Sequence, residues 1–188
     1  MEECSYDKDD KFSKKMHPFF MEYYLSDKFQ KQIQQLSKRG KLEVIKVDDC
    51  DNPIFQKETY LDCIVNLSNG TSLLIDEKAE RHNNYIQNFS IEVVSNPSGK
   101  QAGWGYHLGR TILKAHANPL ETGFFDEPML INITQKFVDE IVRSDDYPFI
   151  PNKATNGLYR SGFRPVPKSV LVRYFPSLNR LRSTASRI

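Results

Sequence analysis

Residues 61–78 read LDCIVNLSNGTSLLIDEK, two short apolar runs joined by a turn-forming segment. Strand-forming residues on both sides of an Asn-Gly pair predict a β-hairpin. A two-residue loop would place Asp62 opposite Glu77, whereas a three-residue loop over residues 68–70 would place Asp62 opposite Asp76. The three-residue loop needs a left-handed residue at its last position, which the glycine there supplies. We therefore expect Asp62 and Asp76 to face each other.

Two acidic residues and a lysine gather at the end of this hairpin. Side chains alternate along a strand, so Asp76 and Lys78 share one face and Glu77 points to the other. Like charges directly opposite each other destabilise a ladder, so the pairing of Asp62 with Asp76 indicates a cation between them. Two carboxylates that hold a divalent cation, with an ammonium that orients a water or helps to deprotonate it, can cleave a phosphodiester. The alternative from spacing alone is a charged strand end that faces solvent.

These residues resemble the signature of the PD-(D/E)xK, or restriction-endonuclease-like, nuclease superfamily. The resemblance rests on Asp62, on residues 75–79 (IDEKA) and on two later stretches, 89–93 (FSIEV) and 103–106 (GWGY). They follow in the order seen in a group of largely uncharacterised bacterial and phage proteins assigned to that superfamily. The resemblance covers about residues 40–145, with leucine in place of the signature proline and aspartate in place of the commoner glutamate.

The resemblance implies a metal-dependent nuclease that hydrolyses phosphodiester bonds with a metal-activated water, acting on DNA in preference to RNA. It implies that Asp62 and Asp76 bind Mg²⁺ or Mn²⁺, that the backbone carbonyl of Glu77 is a further ligand, and that Lys78 serves the attacking water. Glu92, on the next predicted strand, would add a carboxylate to the catalytic set. The alternative for Glu92 is an exposed residue of an alternating strand.

Two other classes of function stay open. The superfamily also contains members that have lost activity, so the chain could be an inactive nuclease-fold protein that binds nucleic acid or a protein partner. It could also be a phage or mobile-element accessory protein that acts through a partner. The chain could form a homodimer. An intact set of Asp62, Asp76 and Lys78 favours the enzyme.

Composition favours a single cytoplasmic domain with terminal appendages. The chain has 188 residues, of which 39% are hydrophobic, enough for one core. No apolar run approaches the roughly 18 residues that span a bilayer, and residues 1–4 lack the apolar segment of a signal peptide. Cys4, Cys50 and Cys63 form no Cys-x-x-Cys pair, which predicts a reduced protein without a disulfide framework.

Charge is divided unevenly along the chain. Residues 147–188 contain eight Lys and Arg and no acid, whereas residues 1–146 carry 18 Lys and Arg against 24 Asp and Glu, so the net charge of +2 combines +8 with −6. Aromatic residues are interleaved with these cations, a composition typical of contacts with phosphates and stacked bases. The predicted nucleic-acid contacts are Arg160, Arg164, Lys168, Arg173, Arg180 and Arg182. The alternative is a basic extension whose aromatic residues pack against an acidic body.

The hydrophobic pattern predicts an α+β fold, with flanking helices on a mixed central β-sheet of the restriction-endonuclease-like kind. Helices are expected over 18–40, with an N-cap at Ser26 or Asp27, and over 135–144, with an N-cap at Thr134. Strands are expected over 41–47, 59–67, 71–79, 88–95, 111–117 and 129–133. The predicted parts are a polar N-terminal segment (1–16), a nuclease-like α/β core (17–146) and a basic C-terminal extension (147–188).

Overall fold

The computed structural model describes residues 5–37, 40–50, 61–80, 87–96, 101–117, 124, 126–153 and 159–176. Within these ranges the chain has an α+β fold that divides into two compact units. The first unit takes residues up to 81, residues 111–130 and residues from 176 onward, and the second takes residues 82–110 and 131–175. No helix in the described ranges has the length and apolar character needed to cross a membrane.

The described elements follow a helix-first order with strands in both units. In chain order they are α1 (Ser5–Tyr24), α2 (Asp27–Gln35), β1 (Val44–Asp49), β2 (Cys63–Leu67), β3 (Ser72–Glu80), β4 (Asn88–Asn96), β5 (Gln101–Ala102), β6 (Thr111–His116), β7 (Met129–Asn132), α3 (Gln135–Phe137), β8 (Ile150–Lys153), β9 (Tyr159–Pro167) and α4 (Lys168–Leu171).

A mixed five-stranded sheet, most of which belongs to the first unit, confirms the mixed sheet that the sequence predicted. Its strand order is β1-β2-β3-β6-β7. Strands β1, β2 and β3 form an antiparallel meander, and β6 then lies parallel to β3. Every residue of β6 is buried, as expected for a strand with neighbours on both sides and covered faces. Asp76 and Lys78 pair with residues of β6 and lie just beyond the part of β3 that pairs with β2.

Helix α1 begins at Ser5 rather than at residue 18, which corrects the predicted polar segment over 1–16. Phe12, Met16 and Phe20 recur every four residues and are all buried, so the polar residues between them form the outer face of an amphipathic helix. The predicted helix over 18–40 is two helices. The second begins as predicted with Ser26 as N-cap, whose hydroxyl oxygen accepts the Phe29 N–H at 3.2 Å.

The second unit has its own four-stranded sheet, with the order β5-β4-β9-β8 and antiparallel pairing throughout. The sequence predicted a strand near β4 but assigned it to a single central sheet, and that assignment is wrong because β4 pairs with β5 and β9. Strands β8 and β9 fall in the predicted C-terminal extension over 147–188. The boundary predicted after residue 146 therefore does not separate a folded core from an appendage.

Short helical segments complete the second unit. Thr134 is the N-cap of α3, as predicted, and its hydroxyl oxygen accepts the Phe137 N–H at 3.1 Å. The α-helix predicted over 135–144 is shorter than expected, because it continues as a π-helical segment over Val138–Val142. Phe137 of α3 and Ile141 of the π-helical segment are buried, and so are Phe89 and Ile91 of β4 and Val166 of β9.

Candidate active site

The turn between β2 and β3 sets the geometry of the site. The Gly70 N–H donates to the carbonyl of Leu67 at 2.9 Å, and the Leu67 N–H donates to the carbonyl of Thr71 at 2.9 Å. The φ angle of Gly70 is +80°, the left-handed conformation that a three-residue loop requires. The strands pair in the predicted register, which brings Asp62, just before β2, beside Asp76. The predicted loop and register are confirmed.

Asp62 is held at the start of β2 by the backbone of β3. Its Oδ2 accepts the N–H of Glu77 at 2.6 Å, and the register of the two strands places Asp62 beside Asp76. Burial raises the pKa of Asp62 to about 6; the Lys78 ammonium opposes this rise and the Asp76 carboxylate adds to it. Two neighbouring carboxylates that are shielded from water repel each other, and a divalent cation would relieve that repulsion.

Asp76 is almost fully buried, with 2% of its surface exposed. Its Oδ1 accepts a hydrogen bond from Nζ of Lys78, two residues further along the same face of β3. Its Oδ2 is buried and has no hydrogen-bond partner among the residues that the structure describes. A buried carboxylate oxygen without a partner is costly, so this atom is the one best suited to an external ligand.

The side chain of Glu77 points to the other face of β3, as the alternation predicted. Its Oε1 accepts the Tyr24 hydroxyl at 2.9 Å, and its Oε2 lies 2.8 Å from Nδ1 of His17. The hydrogen bond to Glu77 raises the pKa of His17 to about 9 against the effect of burial, and Asp49 adds to the rise. Sequence analysis missed this contact, although His17 and Tyr24 are seven residues apart and so share one face of a helix.

A second group of charged residues lies at the ends of β3 and β6. Nζ of Lys114 is 2.8 Å from Oε1 of Glu80, and Nδ1 of His116 is 3.4 Å from Oδ2 of Asp126. Lys114 pairs in register with Lys78 across the parallel strands. Sequence analysis missed this group too; the signal was the presence of Lys and His inside an otherwise apolar strand.

The oxygen atoms of Asp62 and Asp76 fit a small, hard cation. Among the described residues, no three His, Cys, Asp or Glu side chains lie together in a way that could hold a metal ion. Mg²⁺ commonly uses only one or two protein carboxylates and completes its coordination with waters and substrate phosphates. Asp62 and Asp76 supply two such carboxylates.

Glu92 lies on β4, in the second unit, whereas Asp62, Asp76 and Lys78 lie in the first. Its backbone carbonyl packs against Gly103, where a Cβ atom would come within 2.3 Å of the oxygen. This close approach explains the glycine of the Gly-Trp-Gly-Tyr stretch by packing. A catalytic role for Glu92 stays a prediction.

The predicted nucleic-acid contacts differ in their surroundings. Arg164 donates from Nε to the carbonyl of Val142 at 3.0 Å and from Nη1 to the carbonyl of Tyr147, so its guanidinium is engaged inside the second unit. Nζ of Lys168 lies 4.7 Å from the centre of the Phe89 ring, a cation–π contact.

Of the other four predicted contacts, Arg173 is the one whose side chain the structure describes. Arg173 is exposed on the 3-10 turn that follows α4. Arg160 lies on β9, and its side chain is outside the described part of the chain. Arg180 and Arg182 are outside the described residues altogether. Of the three side chains that the structure describes, Arg173 is therefore the one best placed to reach a nucleic acid.

Comparisons of the chain with protein-family models, with curated proteins and with solved structures found no match.

Proposed function

We propose that this protein is a metal-dependent nuclease of restriction-endonuclease-like fold that hydrolyses phosphodiester bonds, in DNA in preference to RNA. The observation that carries the proposal is the placement of Asp62 beside Asp76 by the register of β2 and β3, with Lys78 hydrogen-bonded to the buried Asp76. The unpartnered Oδ2 of Asp76 among the described residues adds support. The mixed sheet of the first unit is compatible with the proposed fold.

The proposed mechanism assigns one task to each residue. Asp62 and Asp76 would hold Mg²⁺ or Mn²⁺, with the backbone carbonyl of Glu77 as a further ligand. When bound, the cation would acidify the attacking water and offset the charge that develops on the phosphate. The Glu77 N–H keeps the Asp62 carboxylate oriented. Lys78, whose side chain is 32% exposed, would orient the water through its ammonium, and only in its neutral amine form would Nζ accept the proton of the water.

Binding of the substrate is assigned to the basic residues of the C-terminal region. Of the six predicted contacts, we assign phosphate binding to the exposed Arg173 and to Arg160, Arg180 and Arg182. Phosphate contacts of this kind are independent of base sequence and weaken with salt. We propose a cytoplasmic location. Glu92 remains a candidate for an additional carboxylate of the catalytic set.

A non-catalytic protein of the same fold is the second candidate, and one observation favours it. The Lys78 ammonium already hydrogen-bonds Asp76, which partly neutralises the carboxylate pair without a cation. Such a protein would bind nucleic acid or a protein partner and would cleave nothing. Metal binding separates the two candidates, because only the nuclease requires it.

Cleavage of labelled single- and double-stranded DNA and RNA tests the proposal. The four substrates are incubated with the purified chain and Mg²⁺, Mn²⁺ or a chelator. We expect cleavage of at least one DNA substrate with either metal and none with the chelator. Intact substrates under every condition, from a protein that binds DNA, would favour the non-catalytic candidate.

A further inference from the structure

Helix α1 contacts the centre of the proposed site from the back of the sheet. The Glu77 side chain is 6% exposed, and its two carboxylate oxygens are each within hydrogen-bonding distance of a residue of α1, Tyr24 at 2.9 Å and His17 at 2.8 Å. Nε2 of His17 also lies 3.3 Å from Oδ1 of Asp49. His17 therefore joins α1 to both β1 and β3.

The backbone of Glu77 connects its side-chain contacts with α1 to the carboxylates of the proposed site. It stands between Asp76 and Lys78, and its N–H donates to Oδ2 of Asp62 at 2.6 Å. The side chain thus faces the helix while the peptide group faces the carboxylates. A displacement of Glu77 would move the donor that orients Asp62 and would change the spacing of the two carboxylates.

We propose that His17 and Tyr24 are positioning residues that hold Glu77, and through it Asp62 and Asp76, in the arrangement that binds the cation. The inference rests on the proposed function, because it assumes that the two carboxylates bind a metal. Groups that orient metal ligands from behind typically change metal affinity by about 10- to 100-fold when they are removed. A purely structural contact would change the stability of the protein and leave the affinity of the folded protein unaltered.

Mn²⁺ binding to the full-length chain tests the inference. Electron paramagnetic resonance would count free Mn²⁺ at a temperature where circular dichroism shows each variant folded. His17→Leu removes both polar contacts, whereas His17→Asn keeps an amide that can donate to Glu77 in place of Nδ1. Met16→Leu is the matched control, since Met16 is a buried neighbour on the same helix and the exchange conserves volume.

We expect His17→Leu to weaken Mn²⁺ binding about 10-fold or more, His17→Asn to restore most of the affinity, and Met16→Leu to leave it unchanged. If His17→Leu does not fold, Tyr24→Phe serves instead, because it removes only one hydroxyl; we expect it to weaken binding by about threefold or more. The positioning role would be overturned if His17→Leu and Tyr24→Phe both bound Mn²⁺ as tightly as the wild type. Where His17→Leu does not fold, wild-type affinity in Tyr24→Phe would overturn it.

The same experiment distinguishes this inference from the proposed function. Asp76→Asn is included as the variant that removes the negative charge of a proposed ligand. A wild type that binds no Mn²⁺, or an Asp76→Asn variant that binds it as tightly as the wild type, would overturn the metal site and the positioning role with it. Binding that depends on Asp76 but not on His17 or Tyr24 would overturn the positioning role alone.

Discussion

The backbone N–H of Glu77 donates a 2.6 Å hydrogen bond to Oδ2 of Asp62, which ties the start of β2 to the middle of the Asp-Glu-Lys stretch on β3. The bond keeps a buried carboxylate next to a second one, Asp76, in spite of their repulsion. Burial without full compensation is unfavourable for folding. Such strain is common at functional sites, where the arrangement serves a ligand rather than stability.

Asp62→Asn should stabilise the protein at neutral pH. The pKa of Asp62 rises from 3.8 to about 6 on folding, so the folded state favours the protonated form and ionisation costs stability as the pH rises through this interval. Asparagine keeps an oxygen for the Glu77 N–H and removes the charge. We expect the free energy of unfolding at pH 7.5 to increase by about 1 to 3 kcal/mol in urea titrations.

The pH dependence provides the control for this prediction. The gain should shrink as the pH falls through about 6 and be absent at pH 4 or below, where Asp62 is protonated in the folded wild type. Asp145→Asn, at an exposed position, should show no comparable gain. A loss of stability in Asp62→Asn at pH 7.5 would contradict the assigned pKa.

Lys78→Met should separate metal binding from cleavage. The ammonium hydrogen-bonds Oδ1 of Asp76, so its removal leaves the carboxylates free for a cation and should preserve or strengthen Mn²⁺ binding. Cleavage should fall about 100-fold or more, because the proton acceptor or water-orienting group is lost. Lys46→Met, at a lysine whose side chain is 67% exposed on β1, is the control. Cleavage at the wild-type rate in Lys78→Met would remove Lys78 from the mechanism.

Truncation after Pro176 should lower the salt dependence of nucleic-acid binding. The change removes Arg180, Arg182 and Arg187 and spares β9. Each lost phosphate contact lowers the slope of log K against log salt by about 0.7 to 0.9, so we expect a decrease of about 2. The full-length chain with the three arginines changed to glutamine should behave like the truncated chain. An unchanged slope in both would show that these arginines do not contact phosphates.

Arg164→Gln should change the stability of the protein, and Arg173→Gln should change the salt dependence of nucleic-acid binding. Arg164 donates hydrogen bonds to the carbonyls of Val142 and Tyr147, so its loss should lower the free energy of unfolding by about 1 to 3 kcal/mol without changing the salt slope. Arg173 is exposed, so its loss should lower the slope by about 0.8 and leave stability unchanged. Urea titrations and binding at several salt concentrations measure both quantities. The reverse pattern would contradict the assignment of the two residues.

The local part of the site could be predicted from the sequence because a hairpin turn fixes register. Gly70 needs a positive φ for the three-residue loop, and that loop determines which residue Asp62 meets. Strand alternation then assigns Asp76 and Lys78 to one face and Glu77 to the other. These inferences use residues less than twenty positions apart, where the sequence pattern carries the geometry directly.

Long-range partners could not be predicted in the same way. The alternation of residues 88–95 identifies a strand but not its neighbour, and β4 pairs with β9 more than sixty residues later. The pattern predicts no strand at β9, which contains Gly162, Pro165 and Pro167, because proline and glycine are rare inside strands. The polar residues of α1 concealed the buried positions Phe12 and Met16, and with them the helix that carries His17.

The most direct test of the central claim is the rate of Mg²⁺-dependent DNA cleavage under single-turnover conditions by the wild type, Asp76→Asn and Asp145→Asn. Asp76→Asn removes the negative charge of a proposed ligand with little change in volume, and Asp145→Asn makes the same change at an exposed position outside the site. We predict cleavage by the wild type and by Asp145→Asn at equal rates, and a loss of about 1000-fold or more in Asp76→Asn. Equal cleavage by the wild type and Asp76→Asn, or no cleavage by the wild type with Mg²⁺ or Mn²⁺, would contradict the claim.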